Sequence, residues 1–187
     1  MSEKPLQIVW FKRDLRLEDH PALTRAALAG RVLPLIVVEP GYWLCDDTSH
    51  RHYRYLSAGI EDLRAALKAR GADLCVRVGF APDVLADLRA QFGPFTLWSH
   101  QETGNMWTFA RDKAVAGWAR ETGTVWHQPM TFGIWRGSSL NRDKWAKRWD
   151  AMMEEPLCAL PEAVDWAQAP SVDLPAPEDL GLTPDGL

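Results

Sequence analysis

The stretch "QIVWFKRDLRLEDHPAL", residues 7–23, begins as an apolar run and ends as the opening of a helix. Residues 7–11 (QIVWF) are β-branched and aromatic and contain no breaker, which predicts a first strand. Six charges of both signs then fall within the eight residues 12–19. A plain solvent loop is served by Ser, Gly and Asn, so mixed charges behind a buried strand point to a role at the strand's end. Asp19 can cap the following helix and Pro21 fits its first turn, giving a helix over 21–28 that stops at Gly30.

Outward from there the pattern repeats. Residues 32–38 (VLPLIVV) are almost wholly apolar, as in a strand covered on both faces. The sixteen residues 39–54 exceed an ordinary strand-to-helix connection, and Tyr42, Trp43 and Leu44 argue that they are ordered. A helix over 55–70 carries Leu56, Ile60, Leu63 and Leu67 at helical spacing and ends at Gly71. Strands follow at 73–79, 95–100 and 124–127. A helix opened by Pro82 and closed by Gly93 and Pro94, and another over 106–121, separate them. The expected fold is therefore α/β: a five-stranded parallel sheet with helices on both faces, Rossmann-like in layout.

Ligands of such sheets bind beyond the carboxyl ends of the strands. That rule puts Lys12, Arg13, Asp14 and Arg16 behind strand one, Glu39, Gly41 and Tyr42 behind strand two, and His100 to Asn105 behind strand four on one face; the candidate binding residues are Phe11, Arg13, Asp14, Arg16, Glu39, Gly41, Tyr42, Trp43, Arg51 in the long loop, and Glu102. Arginine forks suit carboxylates or phosphates, and an aspartate between two arginines can orient both; alternatively Arg13, Asp14 and Arg16 form a structural ion-pair network. Glu102 suits a helix N-terminus better than a ligand, and Trp43 can stack on a planar ring. No G-x-G-x-x-G, no P-loop and no Ser–His–Asp order occurs, which disfavours dinucleotide enzymes, P-loop NTPases and hydrolases.

Composition bounds the rest. Charged residues are 25% and hydrophobic ones 47% of 187, ordinary for a globular domain. No apolar run approaches the roughly 20 residues of a membrane span, and no signal peptide opens the chain. The three cysteines, Cys45, Cys75 and Cys158, suggest a reducing cytoplasm, and the five histidines show no ligand spacing, so no metal is expected. All 21 Lys and Arg lie at or before Arg148, while residues 154–187 hold eight of 25 acids and six of 13 prolines. That tail reads as an extended linker that builds no core. Trp145 and Trp149 lie four apart on a helix before it; a packing face is the plain reading and electron hopping the sharper one.

The words themselves add a resemblance. "IVWFKRDLRLEDHPAL" closely resembles the opening signature of the DNA photolyase/cryptochrome family, with Lys12 for the commoner Arg and His20 for the commoner Asn. "ETGNMWTFARDKAV" resembles the family's segment leading into its fourth helix. "GIWRGSSLNRDKWAKRWDAMM" resembles a bacterial stretch, departing at Trp135, Gly137 and Ser138, and "LGLTPDG" resembles the linker end.

The resemblance implies an antenna-chromophore domain over 1–135, a peripheral helix over 136–153 and a linker over 154–187 to a missing helical FAD domain. That domain would contact damaged DNA and transfer the electron, so this chain, a cytoplasmic monomer away from membranes, would hold no catalytic residue. Its antenna would be a deazaflavin or FMN ahead of folate, or no pigment: folate-binding members place an Asn–Glu pair where Trp107 and Thr108 stand. A cryptochrome-type photoreceptor and a free-standing nucleotide-binding module are the alternatives.

Overall fold

The computed structural model describes residues 4–134, 136 and 141–184. Trp135, Gly137 and Ser138 lie outside the described residues. Five strands, β1 (Leu6–Phe11), β2 (Arg31–Val38), β3 (Cys75–Val78), β4 (Thr96–Trp98) and β5 (Trp126–His127), form one parallel sheet in the order β3-β2-β1-β4-β5. The parallel α/β fold expected from the strand pattern is the one observed.

Alternation along the strands divides the core. Val9, Phe11, Val32, Ile36, Val38, Val76 and Trp98 face α1 (Pro21–Ala29) and α3 (His50–Lys68). Ile8, Trp10, Leu33, Leu35, Cys75 and Leu97 face α4 (Ala81–Phe92) and α5 (Met106–Thr122). The strands need to be apolar on both sides because both sides are covered. Pro34 is tolerated inside β2 because β3 begins opposite Leu35, one residue later, so no ladder bond is lost there.

The strands β3, β4 and β5 are shorter than the sequence reading, and the helices depart from it in three places, each for a local reason. The long loop contains a short helix, α2 (Pro40–Trp43), and α3 begins at His50, five residues before the apolar periodicity starts. Its first turn, HRHYR, is polar, so periodicity hides it; Ser49 caps it through the His52 N–H, and Tyr53 is buried. Asp19 does not cap α1. It sits at φ 47 and its carboxylate accepts the Cys158 N–H at 3.1 Å, while His20 Nδ1 accepts the Leu23 N–H at 3.0 Å.

The tail corrects the composition reading that it builds no core. After the exposed helix α6 (Arg142–Met153) it binds the body as a strap. Val32 donates to Asp165 O and accepts from the Ala167 N–H, both at 2.8 Å, on the stretch of β2 that β3 does not reach. Farther on, Ser171 and Val172 bond Val76 along the outer side of β3, which covers an edge strand. Tyr53 then donates to Pro175 O at 2.6 Å, and Leu180 and Leu182 bury themselves with Trp43, Tyr53 and Leu63. Prolines suit this course because most of the strap needs no repeating backbone ladder.

Candidate functional site

The end of β1 delivers Lys12, Arg13 and Asp14 onto the carboxyl edge, and α5 delivers Arg111 and Asp112 to meet them. Arg111 donates to Glu39 at 2.8 Å, to Asp112 at 2.9 Å and closely to Glu102. Lys12 reaches Asp112 at 3.2 Å, and Arg136 reaches the other Asp112 oxygen at 2.8 Å. Arg13 holds Glu102 at 3.1 Å and donates to Tyr42 Oη at 2.7 Å. Trp10 floors the assembly: Lys12 Nζ lies 4.5 Å and the Arg111 guanidinium 4.8 Å from its ring centroid.

Burial sets the titration of these groups. Desolvation pushes the Lys12 amine down against the pull of Asp112. It pushes Glu39 up, and Arg111 and the Ala81 N–H only partly offset it. For Arg111 burial works against the charge, but Glu102, Glu39 and Asp112 outweigh it and raise the pKa.

Beside this network a cleft of about 340 Å³ opens over the carboxyl ends of β1 and β2. Leu15, Ile36, Val38, Leu56 and Ile60 supply apolar wall, Trp10, Tyr42, Trp43 and Tyr55 the aromatic part, and Arg13, Glu39, Asp47, His52, Glu102 and Arg111 the polar part. Trp43, 5% exposed, packs edge-on between Tyr42 and Tyr53, so it forms one wall and leaves the cleft open.

A second cleft of about 250 Å³ lies between the ends of β1 and β4, bordered by Arg16, His100, Gln101, Thr103, Thr131 and Phe132. At its base Asp14 accepts the Lys12 N–H at 2.8 Å and a close contact from His100 Nδ1, with His20 Nε2 3.0 Å away. Burial alone would raise Asp14; the His100 and His20 bonds overcome it and hold the carboxyl well below its usual range. Asp14, His20 and His100 are close enough together to hold a metal ion. The tautomer argues otherwise: His20 Nδ1 accepts a backbone N–H, which leaves the ring proton on Nε2, the atom a metal would need. The trio reads as a carboxylate held by two imidazoles.

The structure sorts the ten candidate residues. Arg13, Glu39, Tyr42, Trp43 and Glu102 line the first cleft. Asp14 and Arg16 border the second. Asp14 orients neither arginine; Arg16 bonds the carbonyls of Glu18 and Asp19. Phe11 is buried against the His20 ring, Gly41 makes room for Trp107, and Arg51 lines neither cleft. Glu102 is an ion-pair partner, and Asn105 caps α5 instead. Lys12 and His100 fall at the strand ends in the sequence but not among the ten; Arg111, Asp112, His52 and His20 were missed, and the mixed charges behind β1 were the available signal, since buried cations need acids nearby.

The model of the DNA photolyase family matches residues 7–159, and the chain belongs to that family. A cryptochrome DASH of Oryza sativa subsp. japonica is 34% identical over 104 residues, 51% of this chain and 18% of that protein. A deoxyribodipyrimidine photo-lyase of Salmonella typhimurium is 39% identical over 72 residues, 37% of this chain and 15% of that protein. The crystal structure of an archaeal photolyase from Sulfolobus tokodaii with two FAD molecules superposes with a TM-score of 0.67 at 20% identity, covering 87% of this chain and 38% of that one. At that identity the likeness shows the fold alone. The chain thus spans less than a quarter of these curated relatives and under half of the solved structure. No helix among the described residues is long and apolar enough to cross a membrane.

Proposed function

We propose that this chain is the antenna-binding α/β part of a light-driven photolyase, with the first cleft as the seat of a planar pigment. The observation that carries the reading is the cleft's position and lining: it opens at the carboxyl edge of a parallel sheet, with an apolar floor and aromatic side walls from Trp10, Tyr42, Trp43 and Tyr55. Those residues fit a flat ring, since Tyr42 and Tyr55 stand at the mouth and the Arg13–Glu102 pair borders it with polar atoms. When bound, such a pigment supplies absorption of near-UV or blue light and passes excitation onward.

A flavin or deazaflavin suits the lining better than a folate. Trp107 leans on Gly41 and Tyr42, and the Thr108 hydroxyl donates to Asn105 O, so neither position offers a carboxylate. In the whole protein, FAD and the contacts to damaged DNA would belong to a helical domain outside this chain, and cleavage of pyrimidine dimers would require it. The test is to mix the purified chain with a deazaflavin, FMN and folate, desalt, and read absorbance. Retention of the deazaflavin, ahead of FMN, is expected; retention of none, or of folate alone, overturns the reading.

A further inference from the structure

Resting on that reading of the first cleft, we infer that it selects an uncharged, phosphate-free ring compound of the riboflavin class and rejects the phosphorylated forms. Phosphates bind parallel α/β sheets at free helix N-termini, where unpaired amides and the helix dipole meet the carboxyl edge. Three helices, α3, α4 and α5, begin around this cleft, and at each one first-turn amide is bound by the chain's own side chain.

At α4 the Glu39 carboxylate accepts the Ala81 N–H at 2.9 Å, and Pro82 contributes no N–H. At α5 Asn105 Oδ1 accepts the Thr108 N–H at 3.0 Å, while its amide donates to the Asp47 carboxylate at 2.8 Å. At α3 Ser49 caps the His52 N–H. The α4 N-terminus, where a phosphate would sit, therefore holds the Glu39 carboxylate, and the Asp47 carboxylate stands beside the α5 cap; both line the cleft.

Nor do the cations of the lining compensate. Lys12, Arg13 and Arg111 face Glu39, Asp47 and Glu102, three charges against three. Lys12 is held by Asp112, Arg111 by Glu39, Glu102 and Asp112, and Arg13 by Glu102 and the Tyr42 hydroxyl. A phosphate entering here would have to displace a carboxylate from a bonded cation or lie beside Asp47. The unphosphorylated side chain of riboflavin needs only hydrogen-bond partners, which Tyr42, Asp47 and His52 provide at the mouth.

Titrating the 187-residue chain with riboflavin, FMN and FAD at about 0.1 M salt, followed by flavin fluorescence and calorimetry, tests the selection. Riboflavin is expected to bind at least about tenfold more tightly than FMN, a gap that narrows as salt screens Asp47. Asp47→Asn, on the rim and outside the core, should bring FMN to within about threefold of riboflavin. Equal or tighter binding of FMN or FAD to the unaltered chain overturns the selection and leaves the pigment seat standing. Binding of none of the three overturns the selection; if the deazaflavin also fails to bind, the pigment seat falls with it.

Discussion

Replacing Arg111 by Met would put the buried charge network to its sharpest test. The substitution keeps most of the aliphatic volume over Trp10 and removes one charge that touches three carboxylates. Two of the three keep other cations: Asp112 retains Lys12 at 3.2 Å and Arg136 at 2.8 Å, and Glu102 retains Arg13 at 3.1 Å. Among the described residues Glu39 retains only the Ala81 N–H at 2.9 Å, in a side chain 5% exposed. The cost therefore concentrates on one orphaned buried carboxylate, and removing one partner of a buried pair costs about 3–5 kcal/mol.

Urea unfolding at pH 7.5, roughly, should show that loss in the midpoint with little change in slope. Adding Glu39→Gln should recover at least about half of it, because the amide keeps the helix cap without a charge. The pH dependence gives a second check. Burial already raises Glu39 above its ordinary 4.5, and losing Arg111 raises it further. A folded carboxyl with a raised pKa takes up its proton before the unfolded chain does. Arg111→Met should thus regain stability, relative to the unaltered chain, as pH falls from about 8 toward 5. A loss under about 1 kcal/mol, or a double variant with simply additive losses, would refute the idea that the network is tightly coupled.

The remaining expectations concern the body around the site. His20 lies below the ordinary histidine value of 6.5 through burial, so the unfolded chain protonates first as pH falls. Its contribution is lost between about pH 7 and 5, and His20→Asn should flatten that part of the stability profile in denaturant melts. Leu180→Ala should cost about 2–5 kcal/mol and expose the strap after Glu154 to proteolysis, which the unaltered chain should resist; equal cleavage of both would count against a packed strap. Arg16→Ala should change stability by less than about 0.5–1 kcal/mol, since an exposed guanidinium on two carbonyls holds little; a drop like that of a core truncation would mean that it holds more than its loop.

How much of this was legible in the sequence depends on the range over which each feature acts. Strands and most helices were, because apolar periodicity and glycine stops are local records of burial. The start of α3 was not, since its polar first turn packs only through Tyr53. Nor was the strap, whose prolines and acids look like a free linker until Val32 and Val76 offer it unpaired backbone. The site was half legible for a related reason. Arg13, Glu39, Tyr42, Trp43 and Glu102 could be placed by strand topology alone. Arg111 and Asp112 could not, because neighbouring charges on a helix normally mark its wet face.

Their partners lie far along the chain: Arg111 meets Glu39 across 72 residues, and Asp112 meets Lys12 across 100. What the chain does record locally is an imbalance. Lys12 follows a buried strand directly, and its side chain, 6% exposed, keeps its ammonium 4.5 Å from the Trp10 ring centroid. A cation in that place obliges the fold to bring acids to it, and α5, which follows β1's neighbour β4, supplies Asp112 to do so. The alternating signs behind β1 are therefore one half of a neutralised buried edge. Because each charge there already has its partner, the cleft beside it is left to recognise shape and ring rather than charge.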